Sequence, residues 1–293
     1  MYPELVSFLP LRSYGAMLLT GFVVGFAIAR WRARRQGVDV SHIENLMLIV
    51  VALGVIGARV FYVAFYQKPE GLWDVFKVWN GGLVFFGGLV FAAAGAVTYI
   101  VVRRLSLGEI ADIIASGLAI GLAFGRIGCF LNGCCWGDVC APPSTLAGLN
   151  DPTEIYQMQS IPEISGGRFP LAVRFPRHSF AHTQHVFYGL SDEYDKSLPV
   201  HPVQLYGTVL CLALCGLLNV GYRYRRREGD VFLGFGVGYA AIRFWLEILR
   251  ADNVLHYLGM TLSQMIAVVL AVTCVVIFVC RRIGCLRGQG RDD

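Results

Sequence analysis

The chain has 293 residues, of which 56% are hydrophobic and 15% charged, whereas an average soluble domain is about 25% charged. Its formal net charge of +5 comes from basic residues that mostly form short runs between apolar stretches. This distribution excludes the continuous basic surface that a nucleic-acid-binding protein needs, and it predicts an integral membrane protein.

Seven apolar windows are long enough to cross a bilayer core, which needs about 20 residues per helix. They lie roughly at residues 13–30, 43–66, 82–102, 110–131, 202–222, 230–249 and 258–280. We therefore predict an all-α polytopic membrane protein with seven transmembrane helices. The first window lacks a preceding basic segment and a small-residue cleavage site, so it is not expected to be a removable signal peptide.

Basic residues follow the first, third, fifth and seventh windows, which places all four clusters on one side of the membrane. They are Arg30, Arg32, Arg34, Arg35, Arg103, Arg104, Arg223, Arg225, Arg226, Arg227, Arg281 and Arg282. By the positive-inside rule that side is cytoplasmic, so the N-terminus is predicted to lie outside and the C-terminus inside. We predict a single membrane domain over 1–293, with a small periplasmic head at about 132–200 between the fourth and fifth helices and a short cytoplasmic tail at 281–293.

Four charged residues fall in the halves of these windows that are predicted to face outward: Arg59, Arg126, Arg243 and Glu247. Because a charge at the centre of a transmembrane helix costs about 2.5–3.5 kcal/mol, such residues are functional candidates. Under the predicted topology they lie toward the outer face, where guanidinium groups can pair with the phosphate of an anionic lipid. A local Arg243–Glu247 pair, or an Arg59 side chain that reaches water, would explain them without a ligand.

Glycines lie at the same level of the predicted bundle. Gly81, Gly82, Gly87 and Gly88 precede or open the third helix, and Gly121, Gly125 and Gly128 recur near the end of the fourth. Small residues allow both close helix packing and close approach of a ligand, and the spacing alone does not separate the two.

Residues 125–137 read G-R-I-G-C-F-L-N-G-C-C-W-G. This segment resembles the signature of the bacterial prolipoprotein diacylglyceryl transferase family, G-R-x-G-N-F-x-N-G-E-x-W-G. Similar matches follow in the family's order over nearly the whole membrane part: Ser13-Tyr14-Gly15, Glu44-Asn45-Leu46, Gly57-Ala58-Arg59, Trp79-Asn80-Gly81-Gly82, residues 201–206 (H-P-V-Q-L-Y), and residues 239–243 (Y-A-A-I-R) with Glu247. The chain is identified as a divergent member of that family.

The resemblance implies the first step of lipoprotein maturation. In that reaction the diacylglyceryl group of phosphatidylglycerol moves to the lipobox cysteine thiol of a preprolipoprotein at the outer leaflet, and glycerol phosphate is released. The implied partners are phosphatidylglycerol, the signal peptide with its lipobox cysteine, and membrane lipids. We expect an inner-membrane protein that acts as a monomer, with its active site toward the periplasmic face and without nucleic acid, metal or diffusible cofactor.

The resemblance also implies roles for individual residues. Arg126 and Arg243 are predicted to be catalytic, because they can stabilise the charge that grows on the departing phosphate. Apart from the resemblance, His201 is a candidate base because histidine titrates in the right range; the alternative is that it only caps or hydrogen-bonds the turn at the entry of the fifth helix. The residues predicted to bind substrate are Tyr14, Gly87, Gly88, Asn132, Gly137, Gln204, Tyr239 and Glu247.

The chain departs from the family pattern at several polar positions. The histidine of the H-G-G-L motif is Phe86, the asparagine and glutamate of the signature are Cys129 and Cys134, and the glutamate after H-P-x-Q-L-Y is Gly207. Two interpretations follow: an active transferase with another base, or a paralogue that binds lipid without transfer. A small-solute transporter is a third, but it would show paired repeat halves and charges near the midplane.

Four cysteines, Cys129, Cys134, Cys135 and Cys140, lie within twelve residues near the predicted outer surface. In an oxidising compartment a disulfide between Cys140 and either Cys134 or Cys135 is reasonable. The spacing matches no common zinc motif, and His178, His182 and His185 lie in a polar segment, so no metal site is predicted.

Overall fold

The computed structural model describes residues 4–6, 9–66, 82, 84–140, 170–187, 191, 193–250, 256–257 and 259–284. The matches at Trp79, Asn80 and Gly81, the central part of the polar insertion and the end of the tail lie outside the described residues. The helices are α1 Ser13–Gln36, α2 Val40–Phe65, α3 Phe85–Val102, α4 Leu107–Asn132, α5 Phe180–Phe187, α6 Val203–Gly221, α7 Asp230–Ile248 and α8 Leu262–Ile283. Two short antiparallel pairs complete the elements: β1 Glu4–Val6 with β2 Leu9–Arg12, and β3 His256–Tyr257 with β4 Met260–Thr261.

Seven of these helices, all except α5, are long and apolar enough to cross a membrane. Among the described residues, this confirms the predicted helical architecture with seven long apolar helices, as in a polytopic membrane protein. The observed helices differ from the sequence windows mainly at their ends. The first continues through its arginine run to Gln36, and the third begins at Phe85 rather than near residue 82. Many large apolar side chains on these helices are exposed, as expected for surfaces that face lipid.

The helix ends have specific hydrogen-bonded caps. Asp39 precedes α2 and accepts from the Ser41 backbone N–H at 2.9 Å, which also holds the pKa of its carboxyl below the usual value. Thr261 precedes α8 and forms a reciprocal capping box with Gln264. Gly284 ends α8 in the left-handed conformation, with φ at 85°.

Each of the four basic clusters places an arginine over an aromatic ring. The guanidinium carbon of Arg35 lies 4.2 Å from the ring centre of Trp31, and that of Arg225 lies 4.3 Å from the ring centre of Tyr222. The corresponding pairs in the other two clusters are Arg103 with Tyr99 and Arg282 with Phe278. Such cation–π pairs combine the aromatic and basic residues that membrane interfaces favour.

The chain divides into two compact units. One contains Met1–Gly25, Ala115–Arg225 and Asp230–Asp293, and the other contains Phe26–Ile114 and Arg226–Gly229. In the first unit, α1 and α4 approach so closely that a Cβ added to Gly25 would lie 2.7 Å from the Gly117 carbonyl oxygen. The buried residues of its main helical core are Ala115, Ala119, Leu214, Cys215, Leu218, Tyr222 and Val231.

The second unit contains a similarly close crossing of α2 and α3. A Cβ on Gly87 would lie 2.5 Å from the Gly57 carbonyl oxygen, and one on Gly88 would lie 2.8 Å from that of Gly54. Helix packing therefore suffices to explain both α3 glycines. The apolar core of this unit is formed by Ala29, Ala33, Ile43, Leu46, Ile100, Ile110 and Ile113.

Arg59 is buried in the second unit, at 2% exposure. Its NH1 donates to the Gly82 carbonyl oxygen at 3.3 Å, and its guanidinium lies over the Tyr62 ring. The alternative in which this side chain reaches water is therefore wrong. Arg59 instead joins α2 to the chain that leads into α3.

The described part of the polar insertion packs around its own apolar core in the first unit. Val173 and Val200 exchange both backbone hydrogen bonds at 3.0 Å, and Val139 forms a further bridge to Val200. The buried residues of this core are Trp136, Val139, Phe175, Ala181 and Val200. The backbone bridges and this core together fix the segment after α4 against the segment before α6.

Gly137 lies where this core meets the helices, and it leaves no space for a side chain. A Cβ there would collide with Val203 Cγ2 and would lie 2.7 Å from the Leu249 carbonyl oxygen and 2.8 Å from His201 Cβ. We expect Gly137→Ala to destabilise the protein by about 1–3 kcal/mol through overpacking. Thermal unfolding in detergent measures the effect.

Gly216→Ala in α6 is the matched control for this substitution, because nothing lies within 4 Å of a Cβ at that position. We expect it to leave the unfolding temperature unchanged or to raise it slightly, since alanine favours a helix over glycine. An equal loss of stability in both variants would contradict the packing explanation.

Candidate active site

The end of α4 positions the signature segment through a Schellman motif. Gly133 has φ at 72°, its N–H donates to the Phe130 carbonyl, and the Cys134 N–H donates to the Cys129 carbonyl. Gln204 is fully buried, and its Nε2 donates to the Cys134 carbonyl at 2.8 Å. The segment that follows Arg126 is therefore fixed from both α4 and α6.

Arg126 lies in the last two turns of α4 and is half-buried. Its stem packs on Gly207 of α6, because a Cβ at that glycine would lie 3.3 Å from both Arg126 Cγ and Cδ. Its charge acts on the Tyr14 hydroxyl and on the Arg243 guanidinium. Within the described part of the chain, no group accepts a hydrogen bond from this guanidinium, so its donors remain available for an anionic ligand.

Gly207 is one of the positions at which the chain departs from the family pattern. Its contact with the Arg126 stem shows the structural consequence of that departure. Position 207 is where the resemblance implies a glutamate, and in this chain the Arg126 stem covers it instead. A neutralising carboxylate is therefore absent from this position beside Arg126. The substitution leaves the positive charge of the site intact.

Arg243 is held by a buried network. Its NH1 pairs with Glu247 Oε2 at 2.8 Å, and its NH2 donates to Ser263 Oγ at 2.9 Å. The Glu247 side chain is completely buried and also accepts from Thr261 Oγ1 at 3.2 Å. The predicted pair at i, i+4 is therefore present, and Glu247 fixes the direction of Arg243 instead of leaving it mobile.

Arg250 is a further cation that our sequence reasoning missed. Its NH1 lies 3.6 Å from Glu247 Oε2, and its side chain is 11% exposed. It follows the end of α7, where the backbone of Gly137 bridges to it. The spacing of three residues from Glu247 was the available signal, but Arg250 fell just outside the predicted window.

Of three further residues predicted to bind substrate, Tyr14 lies within electrostatic range of Arg126 and Tyr239 within that of Arg243. Tyr14 packs on Gly128, since a Cβ there would lie 3.1 Å from its Cδ2. Tyr239 stacks on Phe235 and acts electrostatically on Arg243. Asn132 ends α4, and its Nδ2 lies 3.7 Å from Cys134 Sγ. In contrast, Gly125 has open space where a Cβ would stand, so helix packing does not require it.

His201 is half-buried at the entry to α6. Its backbone N–H donates to the Asp138 carbonyl and its carbonyl accepts from Gly137, while its Nδ1 lies 3.4 Å from the Tyr206 hydroxyl. Burial lowers the pKa of this imidazole, so the ring is neutral at neutral pH. A neutral ring can accept a proton, as a general base must.

Gly87 and Gly88, the remaining predicted substrate-binding residues, belong to the other unit. Their contacts are with α2, as described above, and the neighbouring Phe86 is 63% exposed. Helix packing accounts for both glycines, and their role in substrate binding stays a prediction.

The cysteines of the signature do not form the expected disulfide. Cys129, Cys134, Cys135 and Cys140 are all outside disulfides. Cys140 is buried and donates to the Asp138 carbonyl at 3.7 Å, and burial raises the pKa of its thiol. The other three thiols lie together without it, because the end of α4 brings them to one place.

His185 in α5 is fully buried in the insertion core. Its Nδ1 accepts from the Leu198 N–H at 3.2 Å, its ring packs edge-on against Trp136, and burial lowers its pKa to about 4. The unfolded chain binds a proton as the pH falls below about 6.5, and the folded protein does so only near its lower pKa. Stability is therefore lost as the pH falls through this window, by about 2 kcal/mol at pH 5.

We expect His185→Asn to remove this part of the pH dependence while it preserves an acceptor for Leu198. The measurement is the thermal unfolding temperature at pH 7 and pH 5. His178→Asn is the matched control, because His178 is exposed. An unchanged pH dependence in the His185 variant would contradict this assignment.

Seven helices of the described residues are long and apolar enough to cross a membrane, as in a polytopic membrane protein. Two arginines from different helices, Arg126 and Arg243, lie within electrostatic range of each other, and the buried carboxylate of Glu247 holds Arg243. The model of the family described as "Prolipoprotein diacylglyceryl transferase" matches residues 3–280. The chain belongs to this family of membrane-bound transferases.

Several bacterial relatives carry the name phosphatidylglycerol–prolipoprotein diacylglyceryl transferase. The one from Burkholderia cenocepacia strain HI2424 is 31% identical over 271 residues, which cover 87% of this chain and 85% of the relative. The one from Escherichia coli O1:K1 / APEC is 32% identical over 252 residues, covering 82% and 77%. A Thermotoga petrophila relative is 28% identical over 249 residues, covering 84% and 72%. These similarities do not favour the transporter or the non-catalytic paralogue.

Proposed function

We propose that this protein transfers the diacylglyceryl group of phosphatidylglycerol to the lipobox cysteine thiol of a preprolipoprotein. The names of the bacterial relatives support the substrates. The observation that carries the proposal is the fixed Arg243 acting on a half-buried Arg126 whose guanidinium has no hydrogen-bond acceptor among the described residues. Two guanidinium groups within electrostatic range of each other, one of which has its donors available, can together bind one phosphate group.

The proposed reaction produces negative charge that the guanidinium groups of Arg126 and Arg243 can stabilise. The substrate thiol loses its proton, and its sulfur attacks the glyceryl carbon that is bonded to the phosphate oxygen. A carbon–sulfur bond forms, the carbon–oxygen bond breaks, and the electron pair leaves with glycerol phosphate. Negative charge grows on that phosphate in the transition state, where Arg126 and Arg243 stabilise it.

His201 is our candidate for the group that accepts the thiol proton. Its neutral ring at neutral pH and its position beside the signature segment support this role. The positive charge of the arginines favours the thiolate as well. His201→Gln should lower the rate most below about pH 8.5, where the free thiol is mostly protonated, and least above it. An unchanged pH profile would exclude His201 as the base.

The environment of the reaction consists of the residues around the lipid headgroup and the orientation of the protein in the membrane. Tyr14, Asn132, Gln204, Gly137 and Tyr239 are proposed to shape the headgroup site, and substrate binding by Gly87 and Gly88 stays a separate prediction from the sequence. The active site faces the periplasm of a bacterial inner membrane, with the N-terminus outside and the C-terminus inside. The basic clusters at alternate helix ends support this orientation.

Complementation tests the function. A bacterial strain depleted of its own transferase is supplied with this protein, and lipidation of a reporter lipoprotein is scored by its membrane association and mass. We expect the wild type and Arg223→Ala, a change in an exposed residue of a basic cluster, to restore lipidation. We expect Arg126→Ala and Arg243→Ala to fail. Absence of lipidation by a well-expressed wild type would contradict the proposal.

A further inference from the structure

Three thiols converge at the end of α4. The Sγ atoms of Cys129, Cys134 and Cys135 all lie within 4.8 Å of one another. Two of these residues occupy positions where the family resemblance implies asparagine and glutamate. The group is therefore a feature of this chain that the proposed transfer does not use.

The helix-end geometry explains why the thiols meet. A contact between the side chains of the C3 and C″ positions frequently accompanies a Schellman motif. With Gly133 at C′, these positions are Cys129 and Cys134, whose backbones are joined by the hydrogen bond from the Cys134 N–H to the Cys129 carbonyl. Cys135 then adopts a left-handed conformation, with φ at 59°, and its Sγ joins the other two.

The dimensions of the cluster suit a metal ion. Thiolates bind at about 2.3 Å from a bound zinc ion, so sulfurs around one such ion lie about 4 Å apart. The observed separations, within 4.8 Å, require only small side-chain movements to reach that value. All three residues are half-buried, and the hydrogen bond from Gln204 to the Cys134 carbonyl fixes the backbone at that cysteine.

The donor set indicates the class of ion. The group contains three sulfurs, and no histidine or carboxylate of the described residues joins it. Soft thiolate donors select soft ions, and three of them match the trigonal coordination of a monovalent d10 ion. The bound ion itself drives deprotonation of the thiols that coordinate it.

We propose that Cys129, Cys134 and Cys135 bind one soft monovalent d10 cation, of the copper(I) class, as three thiolates. Each thiol that coordinates releases its proton to solvent, and no electron transfer is involved. This site differs from the sequence-based prediction that the segment holds no metal, because that prediction considered only the spacing along the chain. The conformation of the chain at the end of α4 brings the three thiols together, and the spacing along the chain does not indicate this.

Copper(I) competition tests the proposal on the full-length protein in detergent, reduced with a phosphine and kept anaerobic. Copper(I) is partitioned between the protein and a chromophoric copper(I) chelator, and bound copper is counted by mass spectrometry. We expect one copper per protein, and X-ray absorption should show three sulfurs at about 2.3 Å. We expect Cys134→Ser/Cys135→Ser, and separately Cys129→Ala, to weaken binding by more than the about 10- to 100-fold that loss of an outer-shell partner costs, because each variant removes at least one ligand.

Cys140→Ser is the matched control, since Cys140 lies in the same segment but outside the cluster. It should bind copper as the wild type does. The thermal unfolding temperature of every variant establishes that it is folded. Copper binding that persists in both cluster variants, or that is lost equally in the control, would overturn the proposal. So would a cluster that forms a disulfide but whose reduced form binds no copper. None of these readouts requires transferase activity.

Discussion

Glu247→Ala is expected to destabilise the protein by about 3–5 kcal/mol and to remove most of its transferase activity. The carboxylate is completely buried and lies 2.8 Å from Arg243 and 3.6 Å from Arg250. Removing one partner of a buried ion pair leaves uncompensated charge in a medium of low polarity, which is why the cost is large. Two buried or half-buried guanidinium groups would lose their shared acceptor at once.

The loss of activity has a separate cause. Arg243 would keep its hydrogen bond to Ser263 but would lose the contact that fixes its direction. A displacement of about 1 Å at a catalytic group can lower a rate about 100-fold. Glu247→Gln should be the milder variant, because an amide oxygen can still accept from Thr261.

Asp230→Asn is the control for the stability measurement. Asp230 pairs with Arg282 at 2.9 Å, but both side chains are partly exposed, so the pair is expected to contribute less than about 1 kcal/mol. Thermal unfolding in detergent compares the three variants. If Glu247→Ala were as stable as Asp230→Asn, the buried network would not hold Arg243 in the way described.

Arg126→Ala is expected to lower transferase activity about 100- to 1,000-fold while it leaves the stability nearly unchanged. That factor is typical for the loss of one group that stabilises transition-state charge. The stability should hold because, among the described residues, no hydrogen bond of this guanidinium would be broken. The Arg126 variant should therefore lower only the transferase rate, whereas the Glu247 variant should lower both the rate and the stability of the protein.

Arg126→Lys separates charge from geometry. A lysine keeps the positive charge but cannot offer the paired donors of a guanidinium, so we expect only partial recovery of the rate. Arg223→Ala, in a cluster that the site does not use, should have wild-type activity. Full activity of Arg126→Ala in purified form would exclude the phosphate role assigned to this residue.

The parts of the fold that hydropathy determines could be predicted from the sequence. Seven windows had the length and apolarity that a bilayer requires, and the part of the chain that the structure describes contains seven helices of that kind. The Arg243–Glu247 pair was also predictable, because residues four apart on a helix are neighbours.

Contacts that depend on how the chain turns at helix ends could not be predicted in this way. Thr261 reaches Glu247 from the start of α8, and Arg250 joins the network only because the chain after α7 meets Gly137. Arg59 is buried and donates to the carbonyl of Gly82, which lies 23 residues further along the chain. Hydropathy describes each helix by itself and contains no information on these encounters.

The cysteine cluster could be predicted from the sequence only in part. The spacing of Cys129 and Cys134 suggested no metal motif, but the glycine at position 133 was a usable signal. Glycine directly after a helix favours a Schellman motif, and that motif brings the residues on either side of it into contact. Helix-end chemistry, applied to this segment, would have predicted two of the three sulfurs together.

The most direct test of the central claim is reconstituted transfer. Purified protein in phosphatidylglycerol liposomes is given a synthetic lipobox peptide, and both products are measured by mass spectrometry. We predict that the peptide gains one diacylglyceryl group on its cysteine sulfur and that an equal molar amount of glycerol phosphate is released, with neither product from Arg126→Ala. An unmodified peptide and no glycerol phosphate from the folded wild-type protein would contradict the claim.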